Sequence, residues 1–120
     1  MGDRVNAVFV FGSNLAGRHG KGAALDARFK HGAQLGVGEG RTGNAYAIPT
    51  KDAQLRTRTI EDVHSSVETF KDYARANPGL VFQVTRVGCG LAGFTDDQIG
   101  PMFSNAPDNC QLPDEWTCFR

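Results

Sequence analysis

The sequence carries no excess of charge: 13 basic and 13 acidic residues cancel to a formal net charge of +0. A chain without a net field is not steered as a whole onto DNA, RNA or anionic lipid, which excludes general nucleic-acid coating. Long hydrophobic runs are missing too, and the longest falls far short of the roughly 18 residues of a membrane span. Met1-Gly2-Asp3-Arg4 lacks the apolar stretch and cleavage site of a secretory leader, and Asn6 stands where a myristoylation signal needs Ser or Thr. These absences point to the cytoplasm and to no membrane contact. Cysteine is scarce and odd in number: Cys89, Cys110 and Cys118 form no CxxC pair, so neither a disulfide framework nor a structural zinc site is expected. His19, His31 and His64 have no acidic or cysteine partner at ligand spacing and read as surface or capping residues, so no metal and no cofactor is expected.

What the chain has in excess is glycine, 15 of 120 residues, against a usual share of about 7%. At 40% hydrophobic and 22% charged, residues 1–120 read as one globular domain. Val5 to Phe11 is a short, nearly continuous apolar run, the pattern of a strand covered on both faces. A polar, glycine-rich turn from Gly12 to Gly22 follows. The spacing then predicts a helix over Ala23 to Phe29 that buries Leu25 and Phe29, ended by His31-Gly32. The glycines at 36, 38, 40 and 43 exclude a helix, and Ala45 to Pro49 resumes as a second strand. Ile60, Val63, Val67, Phe70 and Ala74 mark a helix running to about Asn77, with Thr59 as its cap and Asn77-Pro78-Gly79 as its stop. Leu80 to Val87 reads as a third strand that empties into Gly88-Cys89-Gly90-Leu91-Ala92-Gly93. Thr95 and Gln98 form a capping-box pattern for a short helix that Pro101 must kink unless a helix begins or restarts there, and Trp116 to Phe119 reads as the last strand. The alternation implies an α/β sandwich around a mostly parallel sheet.

In such a sheet the loops leaving the carboxyl ends of the strands form the binding crevice, and the two richest glycine loops both follow predicted strands. Glycine lets backbone N–H groups approach a phosphate, and each loop precedes a predicted helix whose N-terminus adds partial positive charge. A neutral protein can hold a diphosphate this way with few lysines. Familiar motifs lack their mechanical context. Gly38-Glu39-Gly40-Arg41-Thr42-Gly43 matches GxGxxG but precedes a strand, and Gly12 to Gly17 is followed by Arg18-His19 where a P-loop needs Lys and then Ser or Thr. Cys89 is either a nucleophile activated ahead of a helix or a small residue tolerated beside a phosphate. Asn14 either meets a sugar hydroxyl or closes an Asx turn. Arg86, Lys51 and Asp52 read as solvated charges at strand ends.

The segment Val8-Phe9-Val10-Phe11-Gly12-Ser13-Asn14-Leu15-Ala16-Gly17-Arg18-His19-Gly20-Lys21-Gly22-Ala23-Ala24-Leu25 resembles the strand, Asn-containing glycine loop and helix start of macrodomains. Val87-Gly88-Cys89-Gly90-Leu91-Ala92-Gly93-Phe94 resembles their second loop, and is the more specific match. With the Ala45 to Thr50 strand, the resemblance covers residues 5 to about 105. The GSNLAGRHGKGAA and AYAIPTKD stretches are also similar to those of small bacterial and phage-encoded macro-like proteins.

The resemblance implies a macro-like three-layer sandwich that binds ADP-ribose or an NAD-derived nucleotide. Gly88, Cys89, Gly90, Leu91, Ala92 and Gly93 would wrap the diphosphate and Phe94 would border the ribose. Gly12, Ser13, Asn14, Gly17, Gly20 and Gly22 would line the distal ribose, with Asn14 the catalytic candidate if an ADP-ribosyl linkage is hydrolysed. Two departures matter. Gly22 occupies the position at which hydrolytic members commonly carry an acidic residue, and the earlier strand and adenine-binding Asp of many macrodomains have no counterpart. The alternatives are a non-catalytic module that captures a nucleotide, free or on an ADP-ribosylated protein or nucleic acid, and an RNA- or protein-interaction domain. The last would use Arg18, Lys21, Arg28, Lys30 and Arg41 as a basic surface.

Overall fold

Strand β1 (Val8–Asn14) is the axis of the fold. The computed structural model describes residues 7–119, so Val5 and Asn6 of the expected first strand lie outside the described residues. Side chains alternate across a strand. Val8 and Val10 therefore enter one apolar cluster, while Phe9 and Phe11 enter another on the opposite face. The same alternation recurs in β3 (Ala45–Lys51), where Tyr46 and Ile48 join the first cluster and Ala45 and Ala47 the second. With β2 (Gly40–Thr42), β4 (Phe82–Val84) and β5 (Cys110–Gln111) they make a five-stranded sheet in the order β2-β3-β1-β4-β5. Of these strand pairs β2–β3 is antiparallel and the other three are parallel. The chain is thus an α/β fold around a mostly parallel sheet.

Helix α1 (Gly22–Lys30) follows β1, and α2 (Ile60–Ala76) follows β3. The apolar stripe of α2 buries Val63, Val67, Phe70 and Ala74 on the larger cluster, and each valine or phenylalanine so removed from water contributes about 1.5–3 kcal/mol. Thr59 caps α2 as its sequence position predicts, its hydroxyl accepting from the Asp62 amide at 3.1 Å. The short α3 (Asp96–Ile99) carries the complete Thr95–Gln98 capping box, and a 3-10 turn at Gly100–Phe103 restarts the chain at Pro101.

Several sequence expectations need correction. The glycine-rich turn begins later than Gly12, because Gly12, Ser13 and Asn14 stay in register with Ile48, Pro49 and Lys51 as the end of β1. On α1 it is Ala27, not the Leu25–Phe29 pair, that is buried. Ala27 faces the cluster of Phe11, Ala33, Ala45 and Ala47, and residues two positions away point about 200° round the helix, so Phe29 is 71% exposed with the Arg28 guanidinium 5.0 Å above it. The Leu80–Val87 strand shrinks to Phe82–Val84, since Leu80 N–H still bonds Asn77 and residues 85–89 close tight turns. Trp116 to Phe119 is not a strand but part of a 3-10 helix, Asp114–Phe119, opened by Pro113 and anchored by Trp116 stacking on Phe103 at 5.1 Å. Strands β2 and β5 were too short to show in the pattern. Among the described residues no helix is long and apolar enough to cross a membrane.

The loop after β1 is fixed by chain-to-chain contact. Gly17 has φ +70°, and a Cβ there would stand 2.3 Å from the Gly36 carbonyl carbon; a Cβ on Gly38 would stand 2.3 Å from the Asn14 carbonyl oxygen. The GxGxxG-like segment therefore buttresses the first loop. His19, expected at the surface, is instead 1% exposed, edge-on to Phe11 at 5.3 Å with Nε2 3.1 Å from the Gln34 carbonyl. Gly17→Ala should destabilise the protein by about 2–4 kcal/mol in denaturant unfolding. Gly20→Ala, where nothing lies within 4 Å of an added Cβ, should change it by less than about 0.5 kcal/mol.

Candidate functional site

A cavity of about 640 Å³ opens where the carboxyl ends of β1, β3 and β4 meet the start of α1, the crevice position expected of a parallel sheet. Of the residues singled out in the sequence, Gly12, Ser13, Asn14, Gly20, Gly22, Gly88, Gly90, Leu91 and Ala92 stand in its wall. Gly17, Cys89, Gly93 and Phe94 do not. Gly17 faces the 36–38 segment, and Cys89 and Phe94 pack against the larger apolar cluster behind the second loop.

The side chain of Asn14 is 8% exposed and engaged at both ends. Its amide nitrogen donates to the Arg18 carbonyl at 2.8 Å and its oxygen accepts from the Arg18 amide at 3.0 Å. Asn14 therefore closes the first loop, and the turn it makes carries Arg18, Gly20 and Lys21 to the cavity. Ser13 locks the same strand end from beneath by donating to the Gly38 carbonyl, and Thr50 donates to the Ser13 carbonyl at 3.3 Å.

The first turn of α1 faces the cavity through Gly22, Ala23 and Ala24. No side chain caps this helix and no acidic residue stands in its first turn. Its amides and dipole are thus available to an anion. The helix behind the second loop differs. The N-terminus of α3 is satisfied by Thr95 and Gln98 and faced by Asp96 and Asp97, so the dipole that the sequence suggested behind both loops is offered behind one.

Arg18, Lys21, Lys51 and Arg86 also line the cavity, and among the described residues no Asp, Glu or His does. Of the five cations proposed as a basic surface, Arg18 and Lys21 reach it. Lys30 pairs with Asp26, Arg28 lies over Phe29, and Arg41 bonds the Gly43 carbonyl and the Tyr73 hydroxyl. Sequence reading set Lys51 and Arg86 aside as solvated charges. Lys51 ends β3 and Arg86 lies two residues past β4, both at the carboxyl end of a parallel strand, so the rule that located the glycine loops locates them as well.

Arg86 is held by a bidentate pair, Nε to Asp96 Oδ1 at 3.0 Å and Nη2 to Oδ2 at 2.7 Å, while the Trp116 indole donates to Oδ1 at 2.7 Å. The guanidinium first, and the indole second, hold the Asp96 carboxyl below its usual range. Burial, then the negative charge of Asp96, pushes the Cys89 thiol up to about 11. A thiolate is disfavoured there, which leaves Cys89 as a small residue under the loop instead of an activated nucleophile.

No protein-family model matches the chain, and neither a curated protein nor a solved structure matches it.

The Asp96 cluster has a pH signature. A carboxyl whose folded pKa is depressed contributes stability that is complete above its ordinary value of 3.8 and is lost as pH falls through the lower folded value. Acid titration followed by the fluorescence of Trp116, the single tryptophan, should show this transition below pH 3.8 and should lose it in Asp96→Asn. Thiol labelling gives a second check. At pH 8 a thiol of pKa about 11 is ionised in about one molecule in a thousand, so iodoacetamide should modify exposed Cys118 well before Cys89.

Proposed function

We propose that this chain is a cytosolic, macro-like three-layer α/β module that captures ADP-ribose or a related NAD-derived nucleotide between its two glycine loops. One observation carries the reading. In a protein of zero net charge, one cavity gathers the uncapped N-terminus of α1 and four cationic side chains, and no carboxylate of the described residues stands in its wall. Such a wall suits a ligand with two or more phosphate charges and repels none of them. The diphosphate would lie on the amides of Gly22, Ala23 and Ala24 and on the second loop at Gly88 and Gly90. Arg18 and Lys51 would approach it from opposite sides, and Arg86, oriented by Asp96, would close the third.

Capture is favoured over turnover by the same wall. Among the described residues it offers no Asp, Glu or His to take a proton from an attacking water, Gly22 stands where hydrolytic macrodomains place an acid, and both ends of the Asn14 carboxamide are spent on Arg18. Asn14 is in this reading a positioning residue for Arg18 and Lys21.

Calorimetric titration with ADP-ribose, using AMP and NAD as comparison ligands, tests the proposal. ADP-ribose should bind more tightly than AMP and be recovered intact after long incubation. Lys51→Ala should weaken binding roughly tenfold and flatten its salt dependence, as loss of one phosphate contact does. Gly90→Glu should abolish binding, since an added Cβ at Gly90 meets nothing within 4 Å and the variant folds with a carboxylate placed at the phosphates. Unchanged affinity in folded Gly90→Glu would refute the site.

A further inference from the structure

Two large apolar side chains in the cavity wall have no role in holding phosphate. Leu55 is 43% exposed and Leu91 is 72% exposed, and both line the cavity. Leu55 is also the one non-glycine residue among those described with positive φ, at 65°. A branched side chain is disfavoured in that conformation, and the cost is sustained only where the surroundings over-determine it. They do so here. The Asp52 carboxylate accepts from the amides of Gln54 and Arg56, both at 2.9 Å, the Leu55 amide donates to the Asp52 carbonyl at 3.0 Å, and the Asp52 amide donates to the Arg56 carbonyl at 2.8 Å. The turn is then tied to the second glycine loop, because the Thr57 hydroxyl donates to the Ala92 carbonyl at 2.9 Å. That bond lies two residues from Leu55 and one from Leu91, so the two leucines stand on neighbouring rims of one opening.

Resting on the phosphate reading above, we infer that Leu55 and Leu91 form a subsite for a flat, uncharged ring, the base of the bound nucleotide. On this inference Leu55 sets the preference for a phosphate ester that carries such a ring over one that lacks it. Leucine methyls against a ring face exclude water from both, and the wall they occupy is continuous with the cationic one. The strained turn holds the Leu55 backbone at the rim before the ligand arrives, so little backbone ordering remains to oppose binding.

The test compares AMP with ribose 5-phosphate, which differ only in the base, and uses inorganic pyrophosphate as the anion-only probe. The unaltered protein should bind AMP roughly tenfold more tightly than ribose 5-phosphate. Leu55→Gly should remove most of that preference, leave pyrophosphate affinity unchanged and keep or raise Tm, because glycine adopts φ 65° without strain. Leu91→Ala should act in the same direction with the turn intact. Equal affinities for AMP and ribose 5-phosphate in the unaltered protein, or a preference that survives in Leu55→Gly, would overturn the ring subsite while leaving the phosphate site standing. Failure of pyrophosphate and AMP alike to bind the unaltered protein would overturn the phosphate reading, and the ring subsite with it.

Discussion

The parallel pairing of β1 with β3 is the interaction on which the rest depends. Their register runs from Phe9 opposite Ala45 to Asn14 opposite Lys51, with an irregularity between Ser13 and Asn14 at its end. Because side chains alternate along both strands, this one register sorts Val8, Val10, Tyr46 and Ile48 onto the face covered by α2, and Phe11, Ala45 and Ala47 onto the face covered by α1. A slip of one residue would invert both faces at once. The same register delivers Asn14 and Lys51 side by side at the carboxyl edge, so the cavity follows directly from the core. Its far wall is set by β4, the other parallel neighbour of β1, which places Thr85 and Arg86 on the same edge.

Electrostatics in this protein is a matter of local placement. Acidic and basic residues cancel over the chain, yet the acidic residues nearest the cavity are turned away from it or occupied. The Asp52 carboxylate is committed to its own turn, and Asp96 binds Arg86 and Trp116. Asp96 also shows why a neutralising partner need not silence a cation. With Nε and Nη2 fixed on the carboxylate, the guanidinium keeps its place in the wall and retains a further nitrogen for a ligand. A flexible lysine at the same position would bring similar charge but would have to be ordered on binding.

Much of the fold was legible because its signals were local and redundant. The α2 stripe, its Thr59 cap and the Asn77-Pro78-Gly79 stop agree with one another, as do Thr95 and Gln98 for α3. What could not be read depends on what lies opposite. Phe29 looked like a core residue from its spacing to Leu25, but α1 turns Ala27 to the cluster, and residues two positions away then point about 200° round the helix. Trp116 looked like a strand residue from composition, whereas Pro113 and the Asp96 carboxylate make it the anchor of a 3-10 helix. The strands β2 and β5, three and two residues long, exist only through their partners. For the site, the glycine loops and the sheet edge were visible, while the cations after β3 and β4 were hidden by their ordinariness. A lysine at a strand end gains meaning only when the neighbouring strand ends converge on it.

The glycines around the cavity differ in what the fold demands of them. Gly17 and Gly38 are required by the protein itself, since a Cβ on either would collide with the opposing backbone. Gly20 and Gly90 meet nothing, so the fold imposes no such demand on them, and both lie in the cavity wall. At these two positions the missing side chain leaves the backbone bare to an open cationic cavity. By the same reasoning the site is preorganised: buttressing at Gly17 and Gly38, the Asn14 clamp and the Asp96 pair fix the loops from behind, on the side away from the cavity. For the phosphate ester proposed as ligand, loops held in this way would need no ordering before it binds, and discrimination among such esters would fall to the few side chains that stand at the rim.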